Sequence, residues 1–445
     1  MNIRSLLPDR RLVSAALSIA GVAALCYLAG AAAMYFRLPS SGFLGRALDG
    51  ARAWQNAREA KRPPTRGAAI RPVVDQPKET FDGFTLYSVT APNNRTIEAL
   101  LIDMRGEVVH RWSNPIRNVW SHETQGPAPL PDSACFFGCH LYPNGDLLAV
   151  YHGMSDLVRL DKDSKFLWAY PGAVHHDVDV AEDGTIYAVQ CETALQMPES
   201  LKRIPTPCKV DFLIALSPEG SLIGKPLSIL EALEDSPYAD LLEGVKLPLE
   251  QHTPPADSTV PHLDYHFMVG DPLHTNCVRV LKKEQAERFP LFRAGQVLLS
   301  MRNLSVLAVL DPEQGKIVWA ARGAWYAQHD PSFVDEGRLL LYDNLGIANG
   351  SRVLEYDPQT QALPWSFAGS TSAPFYSSER GMAQRLPNGN TFVVNSEAGE
   401  MLEVTRDKRV VWSCYVDGFI NTARRYSRDQ LPFLGEGQRP RPQND

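Results

Sequence analysis

Short β-rich segments recur along most of the chain, and several of the repeats end at a tryptophan. Within a repeat, runs of alternating apolar and polar residues are separated by Asn-Gly, Asp-Gly or similar turns, which favour tight hairpins because these residues tolerate positive φ. The clearest closing tryptophans are Trp319, Trp365 and Trp412, which are spaced 46 and 47 residues apart. This spacing is close to the roughly 40–50 residues of one four-stranded propeller blade.

Weaker copies extend the repeat toward the N-terminus. Two segments end at Trp112 and Trp168, and VHHDVDVAEDGTIYAV with KVDFLIALSPEGSLIG supplies a copy without its tryptophan. The sequence therefore predicts an all-β fold, a six-bladed β-propeller over residues 81–420, with the tryptophans packed between blades. An insertion at about 226–270 interrupts the repeats. We expect its LSILEALEDSPYADLLEG segment to be helical and its remainder to be a loop over one mouth of the propeller.

The N-terminal segment has a different pattern. The 25 residues from Leu12 to Phe36 carry no charge, and arginines precede and follow them. About 20 apolar residues span a bilayer as a helix, whereas the apolar part of a cleavable signal peptide is usually about 7–15 residues long. We therefore expect residues 1–36 to hold a cytoplasmic tip and an uncleaved transmembrane helix, with cleavage near Ala31-Ala32-Ala33 as the alternative.

The arginines before this helix should stay in the cytoplasm by the positive-inside rule. The sequence thus predicts a single-pass inner-membrane protein with its propeller in the periplasm. Residues 37–80, with Pro63-Pro64 and weak periodicity, are expected to form a tether, and residues 421–445 a C-terminal tail. Six of the seven cysteines lie outside the membrane segment, and a tight disulfide between Cys135 and Cys139 is one pairing that an oxidising compartment would permit.

Composition narrows the function classes. The chain has 44 Lys and Arg against 51 Asp and Glu, a net charge of −7, which argues against a nucleic-acid-binding protein. The sequence contains no GxxxxGK[ST], GxGxxG, HExxH or GxSxG motif, so we expect no cofactor. It also lacks a second closely spaced cysteine pair, so we expect no metal site.

Histidines stand where the innermost strands of three blades should begin. They belong to His175-His176-Asp177, His274-Thr275-Asn276 and Gln328-His329-Asp330, and Arg302 of SMRN is expected at the same level of an intervening blade. Equivalent positions of successive blades converge on the propeller axis. These residues would form a cationic pocket suited to an anionic ester. The alternative for each histidine alone is a local hydrogen bond at a strand end.

These motifs resemble those of the bacterial arylsulfate sulfotransferases, periplasmic six-bladed propellers that move a sulfuryl group between phenols without a nucleotide donor. The resemblance covers about residues 137–411 and rests on HTN, SMRN, QHD followed by GRLLLYDN, and MAQRLPNGNTFVV. It implies that His329 is a nucleophile that becomes sulfohistidine, that His274 and Arg302 hold the sulfate, and that His175 or His176 exchanges a proton with the phenol. The candidate substrate-binding residues in the same motifs are Asn276, Asn303 and Gln328.

The resemblance also implies the substrates, an aryl sulfate donor and a phenolic or other hydroxyl acceptor. Family members carry an N-terminal β-domain used in dimerisation, where this chain has only the membrane segment and the tether. A homo-oligomer, or a protein partner docked on the 226–270 insertion, is therefore an open alternative. Two other functions stay open: a non-catalytic, membrane-tethered propeller that binds or scaffolds periplasmic partners, and a quinone-cofactor dehydrogenase, which usually has eight blades and a metal.

Overall fold

The computed structural model describes residues 71–90, 96–115, 135–152, 156–244, 270–348, 350–369 and 375–435. Most of the regular structure in these ranges is β-strand. The strands are β1 (Arg71–Asp75), β2 (Phe84–Thr90), β3 (Thr96–Ile102), β4 (Val108–Pro115), β5 (Cys135–Leu141), β6 (Leu147–His152), β7 (Asp156–Leu160), β8 (Phe166–Tyr170), β9 (Val174–Val180), β10 (Ile186–Ala194), β11 (Cys208–Leu216), β12 (Leu222–Ser228), β13 (Thr275–Val280), β14 (Val297–Met301), β15 (Val306–Asp311), β16 (Lys316–Arg322), β17 (His329–Val334), β18 (Arg338–Ile347), β19 (Gly350–Tyr356), β20 (Trp365–Ala368), β21 (Met382–Arg385), β22 (Thr391–Asn395), β23 (Glu400–Val404), β24 (Val410–Tyr415) and β25 (Phe419–Tyr426).

Helices are short in the described ranges. The α-helices are α1 (Ile229–Glu234) and α2 (Lys283–Ala286), and short 3₁₀ segments lie at Glu199–Leu201, Ala239–Gly244, Asp335–Gly337, Arg428–Gln430 and Pro432–Leu434. Helix α1 and the turn at Ala239–Gly244 confirm the helical prediction for the first part of the insertion. Ser228 caps α1 by accepting a hydrogen bond from the Glu231 amide at 3.2 Å. The predicted loop of the insertion lies mostly outside the described residues.

The strands form six antiparallel sheets, and each sheet is one blade. Blade 1 is β25-β2-β3-β4, blade 2 is β5–β8, blade 3 is β9–β12, blade 4 is β13–β16, blade 5 is β17–β20, and blade 6 is β21–β24 with β1 on its outer edge. The first strands of successive blades contact one another in the closed order β5, β9, β13, β17, β21, β25 and back to β5. The predicted six-bladed all-β propeller is confirmed.

The two ends of the propeller meet in blade 1. Strand β25 pairs with β2 from Phe84 opposite Tyr426 to Thr90 opposite Phe419, so the ring closes through backbone hydrogen bonds. The predicted C-terminal tail therefore starts too early, because residues up to Tyr426 are the innermost strand of blade 1. The predicted tether also ends too late, because β1 adds a fifth strand to blade 6 by pairing with β24. The predicted transmembrane segment lies outside the described residues, and no helix within them is long and apolar enough to cross a membrane.

Three closing tryptophans each tie their blade to a turn of the next one. They are fully or almost fully buried, and their indole nitrogens donate to backbone carbonyls at 2.9 Å: Trp112 to Gly145, Trp365 to Arg406, and Trp412 to Met104. Each of these residues packs a large apolar surface and satisfies its polar atom across the blade boundary. The expectation that the tryptophans pack between blades is confirmed at these positions.

The six cysteines of the described chain are free thiols, so the disulfide between Cys135 and Cys139 that the sequence permitted is not formed. Both residues lie in β5. Four residues along a strand cover about 13 Å, whereas a disulfide needs Cα atoms within about 7 Å of each other. The strand therefore holds the two thiols too far apart.

Buried ion pairs link the innermost strands near the axis. Arg279 contacts Asp177 at 2.5 Å and Asp330 at 2.7 Å, and Arg424 contacts Asp330 at 2.7 Å. We call these four residues, from blades 3, 4, 5 and 1, the axial ion-pair chain. Asp330 also accepts the amide hydrogen of Ala383 in blade 6 at 2.9 Å. Burial raises the pKa of Asp330, but the charges of Arg424 and Arg279 outweigh burial and hold that pKa below its usual value.

Removing the Asp330 carboxylate should destabilise the propeller strongly. Asp330→Ala leaves the buried Arg424 without this partner and weakens the pairing of Arg279, and breaking a buried ion pair in this way costs about 3–5 kcal/mol. Asp163→Ala is the control, because the pair of Asp163 with Lys162 has side chains 71% and 52% exposed, and such exposed pairs contribute little to stability. Thermal or urea unfolding measures both variants, and equal small losses would contradict the prediction.

Candidate active site

A cavity lies against the axial ion-pair chain, which forms part of its wall. Residues from the starts of the innermost strands and the loops before them complete the lining, among them Phe137, His176, Asn276, His329, Arg380 and Thr422. The His274 ring meets the His176 ring edge to face, with centroids 4.7 Å apart. The structure thus brings the three predicted histidine motifs together at one end of the propeller axis.

The backbone conformation determines the direction in which these side chains point. Four residues at or just before the innermost strands have positive φ although none is a glycine: His176 at 63°, His274 at 50°, Ala327 at 55° and Asp330 at 50°. Such conformations are uncommon for these residue types and are often found at functional sites. The pairing of β9 with β10, and that of β17 with β18, is irregular at these positions. Bulges of this kind turn side chains away from the regular alternation of a strand.

His329 is fixed through its Nδ1 atom. Nδ1 lies 2.8 Å from Asn344 Oδ1 and 3.1 Å from the Ala327 carbonyl oxygen. The Asn344 amide nitrogen donates to the carbonyls of Ser377 and Arg380 at 2.7 and 2.9 Å, so Oδ1 is the atom that faces His329. Both partners of Nδ1 are acceptors, so Nδ1 carries the proton. The lone pair of neutral His329 is therefore on Nε2, the atom that is available for a nucleophilic reaction.

Burial and neighbouring cations keep His329 neutral. Burial lowers the pKa of His329 well below its usual value, and the charge of Arg302 lowers it further. Arg380 and His274 act in the same direction, while the hydrogen bond to Asn344 opposes them. An unprotonated imidazole at neutral pH is the reactive form of a histidine nucleophile.

The sequence left open whether His175 or His176 faces the site. The structure places His176 in the cavity lining and His175 behind it, with their Nδ1 atoms 2.6 Å apart. Behind His175, Asp211 Oδ1 lies 3.2 Å from Nε2 of the imidazole. Burial, followed by the charges of His274 and His175, lowers the pKa of His176 well below its usual value.

His274 and Arg302 come from the same blade, not from different blades as the sequence suggested. His274 immediately precedes β13, Arg302 immediately follows β14, and the Arg302 amide donates to the His274 carbonyl at 3.2 Å. Asp271 accepts from the His274 amide at 3.0 Å and lies 2.7 Å from its Nδ1. Burial raises the pKa of Asp271, but the hydrogen bond and charge of His274, with smaller contributions such as that of Lys209, lower it to about 2.

The three predicted substrate-binding residues have different surroundings. Asn276 lines the cavity, donates to the Gln328 carbonyl at 2.9 Å, and has a buried Oδ1 without a hydrogen-bond partner in the described structure. Asn303 donates to the Asp271 carbonyl at 2.6 Å and accepts from Arg302 at 3.1 Å, so it braces the guanidinium. Gln328 is fully buried and its amide donates to Ser300, so its side chain packs against blade 4 instead of lining the cavity.

The sequence profile described as "Arylsulfotransferase (ASST)" matches residues 141–418, well over half of the chain. The chain belongs to the arylsulfotransferase family. No curated protein sequence matches it. Similar solved structures include a protein of unknown function from Bacteroides caccae, with 13% identity, a TM-score of 0.46, and coverage of 77% of this chain and 98% of that one. Virginiamycin B lyase from Staphylococcus aureus has 8% identity, a TM-score of 0.36, and coverage of 74% and 73%. These two likenesses are distant and carry no argument about function.

The sequence motifs of this arylsulfotransferase family member did not point to two residues of the candidate site, Arg380 and Asn344. Arg380 precedes β21 of blade 6, at the level that QHD holds in blade 5, and its guanidinium carbon lies 3.1 Å from the Phe137 ring centroid. Burial lowers the pKa of Arg380 to about 10, so it stays charged at neutral pH. Asn344 is the last residue of the GRLLLYDN segment already noted. The ERG triplet before MAQR was the available sequence signal for Arg380. For Asn344 the only sequence signal was its place in the GRLLLYDN motif.

Together these groups place a neutral imidazole nitrogen among cations and hydrogen-bond donors. Arg302 can present a planar fork to two oxygens of an anion, and Arg380 adds a second buried charge. Preorganised positive groups of this kind stabilise negative charge that develops in a group-transfer transition state. The arrangement therefore fits the transfer of an anionic group to and from His329.

Removing the charge of Arg302 should raise the pKa of His329. Arg302→Met should do so only in part, because burial is the larger cause and remains in the variant. Histidine NMR titration of the wild type and the variant measures the shift. Arg203→Met is the control, because Arg203 pairs with Glu234 on the surface, with a side chain 43% exposed. An unchanged His329 titration in Arg302→Met would show that Arg302 does not act on this imidazole.

Proposed function

We propose that this protein transfers a sulfuryl group from an aryl sulfate to a phenolic or other hydroxyl acceptor through a sulfohistidine at His329. The observation that carries the proposal is the state of His329: it is buried and neutral, with Nδ1 bound to Asn344 and Nε2 available. Membership in the arylsulfotransferase family supports the same chemistry.

In the donor step, His329 Nε2 attacks the sulfur of the aryl sulfate. The N–S bond forms as the bond from sulfur to the phenolic oxygen breaks, and the phenolate leaves with the electron pair. By analogy with phosphoryl transfer, negative charge spreads over the three sulfuryl oxygens and the leaving oxygen. Arg302 would hold two of these oxygens, and His274, whose Nδ1 lies 2.7 Å from Asp271, would hold the third. A phenolate that needs a proton would take it from His176 when an earlier acceptor step has left His176 protonated.

In the acceptor step, the oxygen of a second phenol attacks the sulfur of sulfohistidine. The O–S bond forms, the N–S bond breaks, and its electron pair returns to His329 Nε2. His176 would take the proton of the attacking hydroxyl, which restores the form needed for the next donor step. One pocket can therefore serve donor and acceptor in turn, and ping-pong kinetics are expected.

The protein's location is a second part of the proposal. The uncharged segment from Leu12 to Phe36 and the arginines before it support a single-pass anchor in the inner membrane, with the propeller in the periplasm. Aryl sulfates that reach the periplasm would then meet the site without entering the cytoplasm. A protein partner or a second copy of the chain on the 226–270 insertion stays a prediction.

A nitrophenyl sulfate without acceptor should release one phenol per active site in a burst and add one SO₃ unit to the peptide that holds His329. A second phenol should discharge the adduct. His329→Asn should abolish both the burst and the adduct, because it removes the imidazole nitrogen that attacks the sulfur. Stopped-flow absorbance measures the burst, and mass spectrometry at alkaline pH measures the acid-labile adduct.

His110→Asn is the matched control for this experiment. His110 lies in blade 1, with Nε2 bonded to the Lys162 carbonyl at 2.7 Å, and its loss should leave burst and adduct intact. A wild-type protein that shows neither burst nor adduct with several aryl sulfates, while it binds another periplasmic partner, would favour the non-catalytic scaffold instead.

The proposed anchor has its own test. The full chain should stay in the membrane pellet after an alkaline carbonate wash, because an apolar helix of about 20 residues inserts stably. Replacing residues 1–36 with a cleavable signal peptide should release the propeller into the soluble periplasmic fraction. Recovery of the full chain in the soluble fraction would contradict the anchor and leave the proposed chemistry untouched.

A further inference from the structure

A line of hydrogen-bonded side chains runs from the cavity into blade 3 and ends at a carboxylate. His176 faces the cavity, its Nδ1 lies 2.6 Å from His175 Nδ1, and His175 Nε2 lies 3.2 Å from Asp211 Oδ1. Asp211 is 2% exposed, and its other oxygen accepts the amide hydrogen of Thr275 at 2.7 Å. Asp211 lies in β11, outside the histidine and arginine motifs of the sequence.

The chemistry of the three groups sets the direction of each hydrogen bond. A carboxylate only accepts, so the proton between His175 and Asp211 belongs to His175 Nε2. Neutral His175 then has its lone pair on Nδ1. The proton in the 2.6 Å contact between the imidazoles must therefore belong to His176 Nδ1. This leaves the lone pair of neutral His176 on Nε2.

The geometry points to Asp211 as a positioning residue that acts through His175 to keep His176 Nε2 unprotonated, so that His176 is the general base of the acceptor step. This inference rests on the proposed function. When the acceptor oxygen attacks sulfur, its O–H bond breaks and the proton moves to His176 Nε2. The N–S electron pair returns to His329 Nε2, so atoms and charge balance within the step.

The same hydrogen bonds also let the positive charge that forms on His176 in the acceptor step move to a more favourable position. His176 lies near His274 and Arg380, both of which disfavour its protonation. Once Nε2 is protonated, the Nδ1 proton of His176 can pass to His175 across 2.6 Å. The charge then rests on His175, 3.2 Å from the Asp211 carboxylate. The reverse transfer would return the proton to a departing phenolate in the next donor step.

The other groups around His175 do not change the direction of these hydrogen bonds. The donor atoms of Cys191, His175 and Asp211 all lie within 4.8 Å of one another. Burial, with a contribution from Asp211, raises the pKa of Cys191 to about 12, so the thiol stays protonated and adds no second anion. On the far side, Asp271 is bonded to His274 and contacts Lys209 at 3.8 Å.

Asp211→Asn tests the inference because an amide of the same shape exchanges donor and acceptor in the two hydrogen bonds that lead through His175 to His176. Asn Oδ1 can still accept from Thr275, while its NH₂ group now donates to His175 Nε2. His175 Nδ1 then donates to His176, and His176 Nε2 carries a proton. The burst with nitrophenyl sulfate should stay within about threefold of wild type, because this leaving group needs no proton. Discharge of sulfohistidine by phenol should fall on the order of 10²–10⁴-fold, the usual contribution of a general base.

Asp179→Asn is the matched control. Asp179 also accepts a backbone amide hydrogen from β13, that of Val280 at 2.8 Å, and no described contact joins it to His176. Its variant should discharge at the wild-type rate. All assays contain EDTA, because the donor atoms of Cys191, His175 and Asp211 are close enough to take up a divalent ion.

Histidine ¹⁵N NMR without substrate reports the tautomer directly. In the wild type the protonated nitrogen of His176 should be Nδ1, and in Asp211→Asn it should be Nε2. The inference about Asp211 would be wrong if Asp211→Asn discharged sulfohistidine at the wild-type rate, or if the His176 nitrogen shifts did not change. Either result would leave the proposed function in place as long as the wild type shows the burst. If the wild type shows no burst, the proposed function is wrong, and the NMR comparison still decides the direction of the hydrogen bonds. If Asp211→Asn does not fold, His175→Phe should likewise slow discharge but not the burst.

Discussion

The geometry of the site depends on the ion pairs and the hydrogen bond that the buried carboxylate of Asp330 makes. It binds Arg279 of blade 4 and Arg424 of blade 1, and it accepts the Ala383 amide hydrogen of blade 6. A buried ion pair contributes little net stability compared with apolar packing, but losing one partner is costly. The carboxylate therefore fixes position more than it adds stability. Because it follows His329 directly in the chain, it also fixes where that imidazole lies.

The distribution of charge around the axis explains the cationic character of the cavity. The aspartates of the axial ion-pair chain are neutralised by Arg279 and Arg424, and Asp271 is bonded to His274. Arg302 and Arg380 make no ion pair with a carboxylate in the part of the chain that the structure describes; Arg302 donates to Asn303, and Arg380 donates to a backbone carbonyl and stacks on Phe137. Their charge is thus available to an anionic ligand and, together with the larger effect of burial, lowers the pKa of His329.

Local patterns predicted most of the fold, and distant partners account for what they missed. A blade is a run of hairpins whose turns and alternation are visible within about 45 residues, so the blade count and the histidine positions could be found. Strand β25 pairs with β2 more than 300 residues away, and no turn signal marks such a partner. Asp211 and Arg380 reach the site from a third strand and a loop, where residue type alone gave no hint. The choice between His175 and His176 needed the backbone, because His176 has a φ of 63° and breaks the strand's alternation.

The strained backbone conformations occur at, or next to, the residues that carry the buried charges. In β9 and β17 a histidine of the site is followed by an aspartate of the axial ion-pair chain, and His176 and Asp330 have positive φ. Such conformations persist only where surrounding contacts hold them. The arginines supply those contacts from neighbouring blades, so the histidines are aimed by interactions one residue away and not by their own hydrogen bonds alone. An exchange of ligand specificity in this propeller would therefore have to keep the axial charges while it changed the cavity wall at positions such as Asn276 and Phe137.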